Sequence, residues 1–479
     1  MPGVQGGLGA RAKNPRNPRK TPHAPNAEEC EHDPFILKLP PEVASHIFLL
    51  SMGTRDAIDI PQKNGGGLPT PFLLGAVCRG WRQLARSTPR LWTRLGFNFF
   101  NTTNPTSKTI EALPQLVADW LERSGGLPLT LYVLFEGNCE THAEGSISII
   151  NALNNHSGRW YKVCFALPRH YLERRGTSPP KLLCDLTMSD PEDEVKCIPL
   201  TFKMNTRPSP MQFSIAGFLL DAVDISWDNL VDLELNRTTI DGVLKVLRNA
   251  PLLKTCFLSE ISPPIGDPPI LETIIRLLYL HALEVCWIEG EVFCNFVDSL
   301  ELPSLESLWV NLENLVVDNL LSLLKRSDCS LKSLCIWKNN APVEDFRRLF
   351  QAVPHLRHLE VVSPPNDSSS VPVMDYILER LSASPRYPTL QTDVAAGFLS
   401  DLQSLELRGQ ELNAWACIPL IYRWPHRKVL NLRISMKTVT IGREVSGELV
   451  HLVDQGIKLR IFFLGFRDYI QKFREDTGT

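Results

Sequence analysis

Apolar residues recur along most of the chain in a six-residue unit: apolar, two variable, apolar, one variable, apolar. The clearest copies are Leu331-Leu334-Ile336, Leu356-Leu359-Val361 and Leu402-Leu405-Leu407. Successive side chains of a strand point to opposite sides, so the alternation that ends each unit predicts a short strand with one buried face. Successive units mostly start 20 to 30 residues apart. The pattern therefore predicts a long series of similar strands.

Helical periodicity occupies several of the segments between these strands, at residues 241–249, 318–325 and 343–352. A strand-plus-helix unit of this length resembles a leucine-rich repeat, whose copies stack because no single copy can bury its apolar face alone. The asparagine that usually follows the strand is mostly missing, so the repeats are degenerate. We expect residues 101–479 to form a leucine-rich-repeat-like α/β solenoid.

The variable residue between the last two apolar positions should point outward, onto the concave face of such a solenoid. The unit Leu283-Cys286-Ile288 places Trp287 at this position, and Trp337 lies one outward step beyond Cys335. Aromatic anchors dominate binding energy at protein interfaces, so this row predicts a target-binding surface. The alternative is that loops or the C-terminal segment cover the rings as ordinary core. The predicted target-binding residues are Phe257, Trp287, Trp309, Trp337 and Glu360, in a row that also holds Glu234, Cys335 and Glu406.

The stretch from Leu39 to Leu95 has a different pattern and predicts three short helices. The first begins at Pro40-Pro41 and places Val43, Ile47 and Leu50 on one face, with Phe48 beside them. The second begins at Thr70-Pro71 and carries one apolar stripe as far as Ala85. The third begins at Thr88-Pro89 and contains Leu91 and Trp92.

This stretch resembles an F-box, and residues 34–100 are assigned to that domain. Four sub-motifs occur in the family's order: L-P-x-E at 39–42, I-F at 47–48, V-C-R-x-W-R-x-L-A at 77–85 and P-x-L-W at 89–92. The departure is the segment Arg55 to Thr70, containing Asn64-Gly65-Gly66-Gly67, where the family has a short turn. We interpret it as a surface loop, since lengthening a loop costs little free energy.

The resemblance implies docking to the Skp-type adaptor of a cullin-RING ubiquitin ligase. Trp81 and Trp92 have an alternative interpretation as core residues of a three-helix unit, but a segment of this size is marginal alone and suits a partner-completed core. A following W-L-E-R-S-G helix end and P-L-x-L strand are similar to large fungal F-box families. The residues that match the family's adaptor-binding positions are Leu39, Pro40, Ile47, Phe48, Val77, Cys78, Trp81, Leu91 and Trp92.

Composition narrows the class of protein. The chain has 479 residues, 43% of them apolar, and a net charge of −3, which favours a globular protein with a protein partner over a nucleic-acid binder. No apolar run approaches the ~18 residues that a membrane span needs, and no secretory signal is visible. The twelve cysteines form no C-x-x-C pair, which favours reduced thiols in the cytoplasm or nucleus. Residues 1–33 are predicted to form a disordered, basic tail.

Catalytic signatures are missing from the sequence. It has no G-x-S-x-G, no phosphate-binding glycine loop and no H-E-x-x-H, and His355 and His358 have no further metal ligands nearby in sequence. We therefore expect no catalysis, no cofactor and no metal. The prediction is a substrate receptor that binds a Skp-type adaptor, with its cullin scaffold, through the F-box and an unidentified target protein through the repeats. The alternatives are a non-ligase scaffold and a hydrolase with an unrecognised site.

Overall fold

The computed structural model of the protein describes most of the chain beyond residue 38. Its ranges are 39–52, 58–59, 70–98, 107–134, 143–172, 178–190, 198–199, 201–220, 223–264, 274–311, 316–337, 342–364, 371–383, 397–463 and 467–477. The predicted tail, 1–33, lies outside these residues, as does most of the predicted loop between Arg55 and Thr70.

The first part of the described chain is mostly helical. Its elements are α1 (Pro41–Ser51), β1 (Ile58–Asp59), α2 (Thr70–Val77), α3 (Arg79–Arg86), a 3-10 turn (Pro89–Trp92), β2 (Arg94–Asn98), α4 (Ser107–Arg123), β3 (Leu129–Leu134), α5 (Ala143–Asn155), β4 (Trp160–Ala166) and α6 (Arg169–Leu172).

Strands follow at close intervals, and helices separate them more regularly toward the C-terminal end. The middle elements are β5 (Asp185–Ser189), β6 (Ile198–Pro199), β7 (Gln212–Ala216), β8 (Phe218–Leu219), β9 (Asp232–Asn236), α7 (Ile240–Arg248), β10 (Thr255–Ser259), β11 (Ile275–Arg276), β12 (Ala282–Cys286), α8 (Gly290–Asp298), β13 (Leu300–Glu301), β14 (Ser307–Asn311) and α9 (Val317–Ser327). The last are β15 (Ser333–Trp337), α10 (Val343–Ala352), β16 (His358–Val362), α11 (Val371–Ser382), β17 (Ser404–Gly409), α12 (Cys417–Ile421), β18 (Asn431–Met436), α13 (Arg443–Asp454), β19 (Leu459–Phe463), β20 (Arg467–Asp468) and α14 (Tyr469–Thr477).

Sixteen of the described strands form one sheet, in the order β1-β2-β3-β4-β5-β7-β9-β10-β12-β14-β15-β16-β17-β18-β19-β20. Chain order and spatial order coincide, and the two ends of the sheet do not pair with each other, so the described strands form no closed barrel. The described neighbouring strands of this sheet pair in parallel, except for the terminal β19–β20 pair, which is antiparallel. The α/β prediction is confirmed at this level. The sheet begins with β1 and β2, which precede residue 101, the predicted start of the repeat domain.

The apolar positions of the repeating unit form the buried side of this sheet. Leu233 and Leu235 align with Cys256 and Leu258 on the next strand, and all four are buried. One hydrophobic cluster extends from Phe48 to Ile470, between the sheet and its helices. The predicted helices at 241–249, 318–325 and 343–352 correspond to α7, α9 and α10. Burial of this continuous cluster is what holds neighbouring units together.

The unit predicted at Leu283-Cys286-Ile288 is out of register by three residues. Leu283 and Val285 align with Leu308 and Val310, so the true unit begins at Leu280. The error has a physical reason: the first interval of the unit is also three residues, so its second leucine can be mistaken for its first. Cys286 and Ile288 are also buried, so the shifted unit consists of apolar, buried residues just as the true one does. The same pattern at Leu459-Phe462-Leu464, which predicts the last unit, is shifted in the same way, because Leu459 and Ile461 align with Leu432 and Ile434.

A left-handed residue follows four of the central strands directly. Gly217, Arg237, Glu260 and Trp287 have φ values of 83°, 52°, 52° and 49°. Each donates its backbone N–H to a carbonyl at the end of the next strand, at 3.0 Å in every case. This turn extends the ladder by one hydrogen bond at the end of each strand. Three of the four positions are not glycine, although the conformation costs L-residues roughly 1–2 kcal/mol.

Candidate functional site

The first candidate surface lies on α1 and α2. Val43, Ile47 and Leu50 are spaced four and three residues apart and form an exposed stripe on α1, with Leu50 at 73% exposure. Leu73 and Val77 are exposed in the same way on α2, where Val77 reaches 58%. We call these five residues the helix patch. They are five of the fifteen large apolar side chains that the described residues leave exposed, within a span of 35 residues.

Helix α1 buries a different side from the one that carries Val43, Ile47 and Leu50. Ala44 and Phe48 face the core, and the Phe48 ring packs against Trp81 with centroids 4.9 Å apart. Ser45 Oγ lies 3.0 Å from Thr88 Oγ1 on the same side. Apolar residues surround most of this helix, so periodicity alone could not choose its buried face.

The predicted single helix from Thr70 to Ala85 is two helices. Cys78 has φ −155° and ψ 176°, an extended conformation that ends α2 and begins α3. Its Sγ accepts a hydrogen bond from the backbone N–H of Trp81 at 3.4 Å, so the cysteine acts as the N-cap of α3. The break separates exposed Val77 from buried Ala85, which the continuous stripe placed on one face.

The nine predicted adaptor-binding residues fall into three groups by exposure. Pro40, Ile47 and Val77 are exposed; Leu39, Cys78 and Trp81 are half-buried; Phe48, Leu91 and Trp92 are buried. The exposed residues can touch a partner directly, whereas the buried ones support the surface from below. Sequence reasoning did not include Val43, Leu50 and Leu73 in the predicted set. Their signal was present in the four- and three-residue spacing on α1 and the four-residue spacing on α2.

The second candidate surface is the open face of the sheet. One outward position aligns on all central strands and defines what we call the central row. Trp287 is not a member: Glu284 aligns with both Phe257 and Trp309, while Trp287 occupies the left-handed turn and is 57% exposed. In strand order from β9 to β18, the central row contains Glu234, Phe257, Glu284, Trp309, Cys335, Glu360, Glu406 and Arg433.

The middle of the central row is aromatic and partly buried. Trp309 and Trp337 meet edge to face, with centroids 5.7 Å apart and planes at 76°, and both are half-buried. Cys335 is buried beside them. Burial first, and then the negative charge of Glu360, raises the pKa of its thiol, so Cys335 stays protonated at neutral pH. A protonated buried thiol is a packing residue and not a nucleophile.

The C-terminal end of the central row is an ion-pair network. Arg408 reaches Glu406 at 2.7 Å and Glu360 at 3.3 Å, and Arg433 reaches Glu406 at 3.3 Å. The hydrogen bond to Glu406 is the main cause of the raised pKa of Arg408. The Arg433 guanidinium also lies over the Phe462 ring, 5.2 Å from its centroid. These charges are satisfied internally.

The N-terminal end of the central row forms a shallow groove of about 450 Å³ that crosses six strands, β4, β5, β7, β9, β10 and β12. Asp185 in the groove pairs with Lys162. Asp232 accepts hydrogen bonds from Gln212 at 2.9 Å and from Thr255 at 2.5 Å. The groove is lined by four carboxylates and one lysine, so it is acidic overall: Lys162, Asp185, Thr187, Gln212, Phe213, Ser214, Asp232, Leu233, Glu234, Thr255, Cys256, Phe257, Ala282 and Glu284.

Metal-ligating side chains do not converge in the described ranges. No three His, Cys, Asp or Glu residues among them could hold a metal ion together. His355 instead pairs with Asp401, with Nδ1 3.0 Å from Oδ2, and this hydrogen bond is the main cause of the lowered pKa of Asp401. Among the residues placed by the structure, none of the helices has both the length and the apolar character required to cross a membrane.

The chain was also compared with known families and proteins. No family model and no curated protein matches it.

Proposed function

We propose that the protein is the substrate-recognition subunit of a Skp-cullin-F-box E3 ubiquitin ligase. The N-terminal helices would dock the adaptor, and the sheet domain would present a target protein. The observation that carries the proposal is the helix patch, which concentrates exposed apolar side chains in the stretch that resembles an F-box. A stripe of exposed apolar side chains along one helix face, as on α1, is typical of a surface that a partner covers.

The energetic argument concerns α1. Its side chains divide into a buried pair, Ala44 and Phe48, and an exposed stripe, Val43, Ile47 and Leu50. Covering apolar surface is worth roughly 25 cal/mol per Å², so three large side chains on one stripe are worth several kcal/mol to a partner. A helix that is apolar on both sides suits a position between its own core and another protein.

The sheet supports the second half of the proposal. Parallel strands in chain order, separated by helices, fit a leucine-rich-repeat-like solenoid, in which one face of the sheet remains open for a partner. The protein would act by proximity. A target held on the open face would have its lysines near the conjugating enzyme that other subunits carry, at a high effective concentration.

The test replaces Ile47 and Val77 by serine, because both side chains are exposed and contribute little to the chain's own core. The matched control replaces Leu252 and Val429 by serine; these are also exposed, at 43% and 72%, but lie far along the chain. The wild type and both double variants are used to capture a purified Skp-type adaptor and its cullin. We expect the Ile47→Ser/Val77→Ser variant alone to lose capture, while its circular dichroism and thermal midpoint stay those of the wild type.

Two outcomes contradict the proposal. Equal capture by all three proteins would show that the helix patch is not the docking surface. Capture of the adaptor by wild type without the cullin would assign the chain to the alternative, a scaffold that uses the adaptor outside a ligase.

A further inference from the structure

Glu234 and Glu284 lie on the two strands that flank Phe257 in the central row, and Trp309 follows on the next strand. Neighbouring strands are about 4.8 Å apart, so the two glutamate positions are about 10 Å apart with the ring between them. Carboxylates and aromatic rings thus alternate over four strands. A guanidinium or ammonium group can pair with such a carboxylate and stack on the adjacent ring.

These two glutamates differ from the other acids of the face. Glu234 and Glu284 are exposed, and neither forms a hydrogen bond or ion pair with another described residue. Glu360 and Glu406, by contrast, share Arg408. The unpaired carboxylates border the groove, whose single lining lysine is already paired with an aspartate. The groove therefore offers negative charge that the described part of the chain does not neutralise.

We propose that the groove binds an extended, arginine- or lysine-rich segment of a target protein. The inference rests on the proposed function, since it names the class of target that the open face would hold. Six strands span about 24 Å, which accommodates about seven residues of extended chain. Arginine suits the site better than lysine, because its planar guanidinium stacks on a ring while pairing with a carboxylate.

The test measures binding of fluorescent peptides of about eight residues to the full chain by anisotropy. The probes are alternating arginine–serine, lysine–serine, glutamate–serine and glycine–serine peptides. The test variant is Glu234→Gln/Glu284→Gln. The control, Glu291→Gln/Glu444→Gln, removes the same charge from two exposed positions in the first turns of α8 and α13. A further variant, Phe257→Ser, removes the ring.

We expect the arginine peptide to bind the wild type and the control with similar affinity, and the test variant about tenfold more weakly. Phe257→Ser should narrow the difference in affinity between the arginine and lysine peptides. The proposal would be overturned if the arginine peptide failed to bind, or if the control variant weakened its binding as much as the test variant. It would also be overturned if the glutamate peptide bound as tightly as the arginine peptide. These measurements need no adaptor, so they can fail or succeed independently of the adaptor-capture test.

One rival occupant belongs to the same chain. The N-terminal segment carries Arg11, Lys13, Arg16, Arg19 and Lys20 and no acid before Glu28, so it offers the same charge as the proposed target. A variant with these five residues changed to serine separates the two cases. Unchanged affinity for the arginine peptide supports a target segment. Tighter binding by this variant would show that the chain's own basic segment competes for the groove, and would overturn the assignment to an external partner.

Discussion

Trp92 and Trp120 meet edge to face, with ring centroids 4.9 Å apart and planes at 76°. Both rings are fully buried, and Trp92 Nε1 donates a hydrogen bond to the carbonyl of Ala85 at 2.8 Å. The guanidinium of Arg123 covers the Trp92 ring, 4.7 Å from its centroid. This pair joins the 3-10 turn after α3 to helix α4. The N-terminal helices and the beginning of the sheet domain therefore share one core.

Loss of the Trp120 ring should destabilise that shared core. Trp120→Ala leaves a large cavity against Trp92 and Phe72, and we expect the free energy of unfolding to fall by about 3–5 kcal/mol in urea denaturation. The control is Trp287→Ala, in a tryptophan that is 57% exposed in its turn, where a change within about 0.5 kcal/mol is expected. Similar losses in the two variants would contradict the described packing.

Arg427 is a buried arginine that holds a neighbouring turn. It is 3% exposed, and its guanidinium donates to the carbonyls of Leu399 at 2.7 Å and Phe398 at 2.5 Å. Burial lowers its pKa, and the charge of Asp401 partly opposes that shift. Arg427→Met keeps the aliphatic volume but leaves both carbonyls without donors, so we expect a loss of about 2–4 kcal/mol in urea denaturation. The control is Arg423→Met, at an exposed position four residues earlier, which should leave the free energy of unfolding nearly unchanged. An equally small loss of stability in both variants would refute the role of Arg427.

His156 should make stability depend on pH. Burial, and then the positive charge of Arg159, lowers its pKa below the ordinary value of 6.5. The unfolded chain therefore takes up a proton that the folded chain resists, and the free energy of unfolding falls as pH drops through about 6.5. The midpoint of urea denaturation, compared at pH 7.5 and pH 5.5, should shift less in His156→Asn than in wild type.

His426 provides an additive check of that pH effect. His426 is exposed, but partial desolvation and then the positive charge of Arg427 lower its pKa, so it contributes with the same sign. The double variant His156→Asn/His426→Asn should therefore show a still smaller shift of the midpoint. Identical shifts in wild type and both variants would assign the acid sensitivity to other groups.

Much of the fold was predictable because the repeating unit is a property of local spacing. Leucines at fixed intervals identified β15, β16 and β17, and period-two alternation assigned their buried and open faces. The row from Glu234 to Glu406 follows from the same rule, with one wrong member. Trp287 was misplaced because a three-residue shift of the unit still puts buried residues, Cys286 and Ile288, at apolar positions.

The arrangement of the N-terminal surface was less predictable, although some of its residues were predicted. Ile47 and Val77 were named as adaptor-binding positions, and both are exposed. The buried face of α1 depends on where Trp81 lies, and the break at Cys78 rotates α3 relative to α2. Neither feature has a local signal, because one is a contact across 33 residues and the other is a single extended residue within an unbroken apolar pattern.

The sequence by itself determined the strands, the helices between them and the acidic and aromatic character of the open face, because these depend on spacing and side-chain type. Tertiary structure alone decided the register of β12, which brings Glu284 and not Trp287 beside Phe257. It also decided which apolar stripe of α1 remains exposed. The physical reason is the same in both cases: a choice between equally apolar alternatives is made by long-range packing, where one arrangement buries more surface than the other.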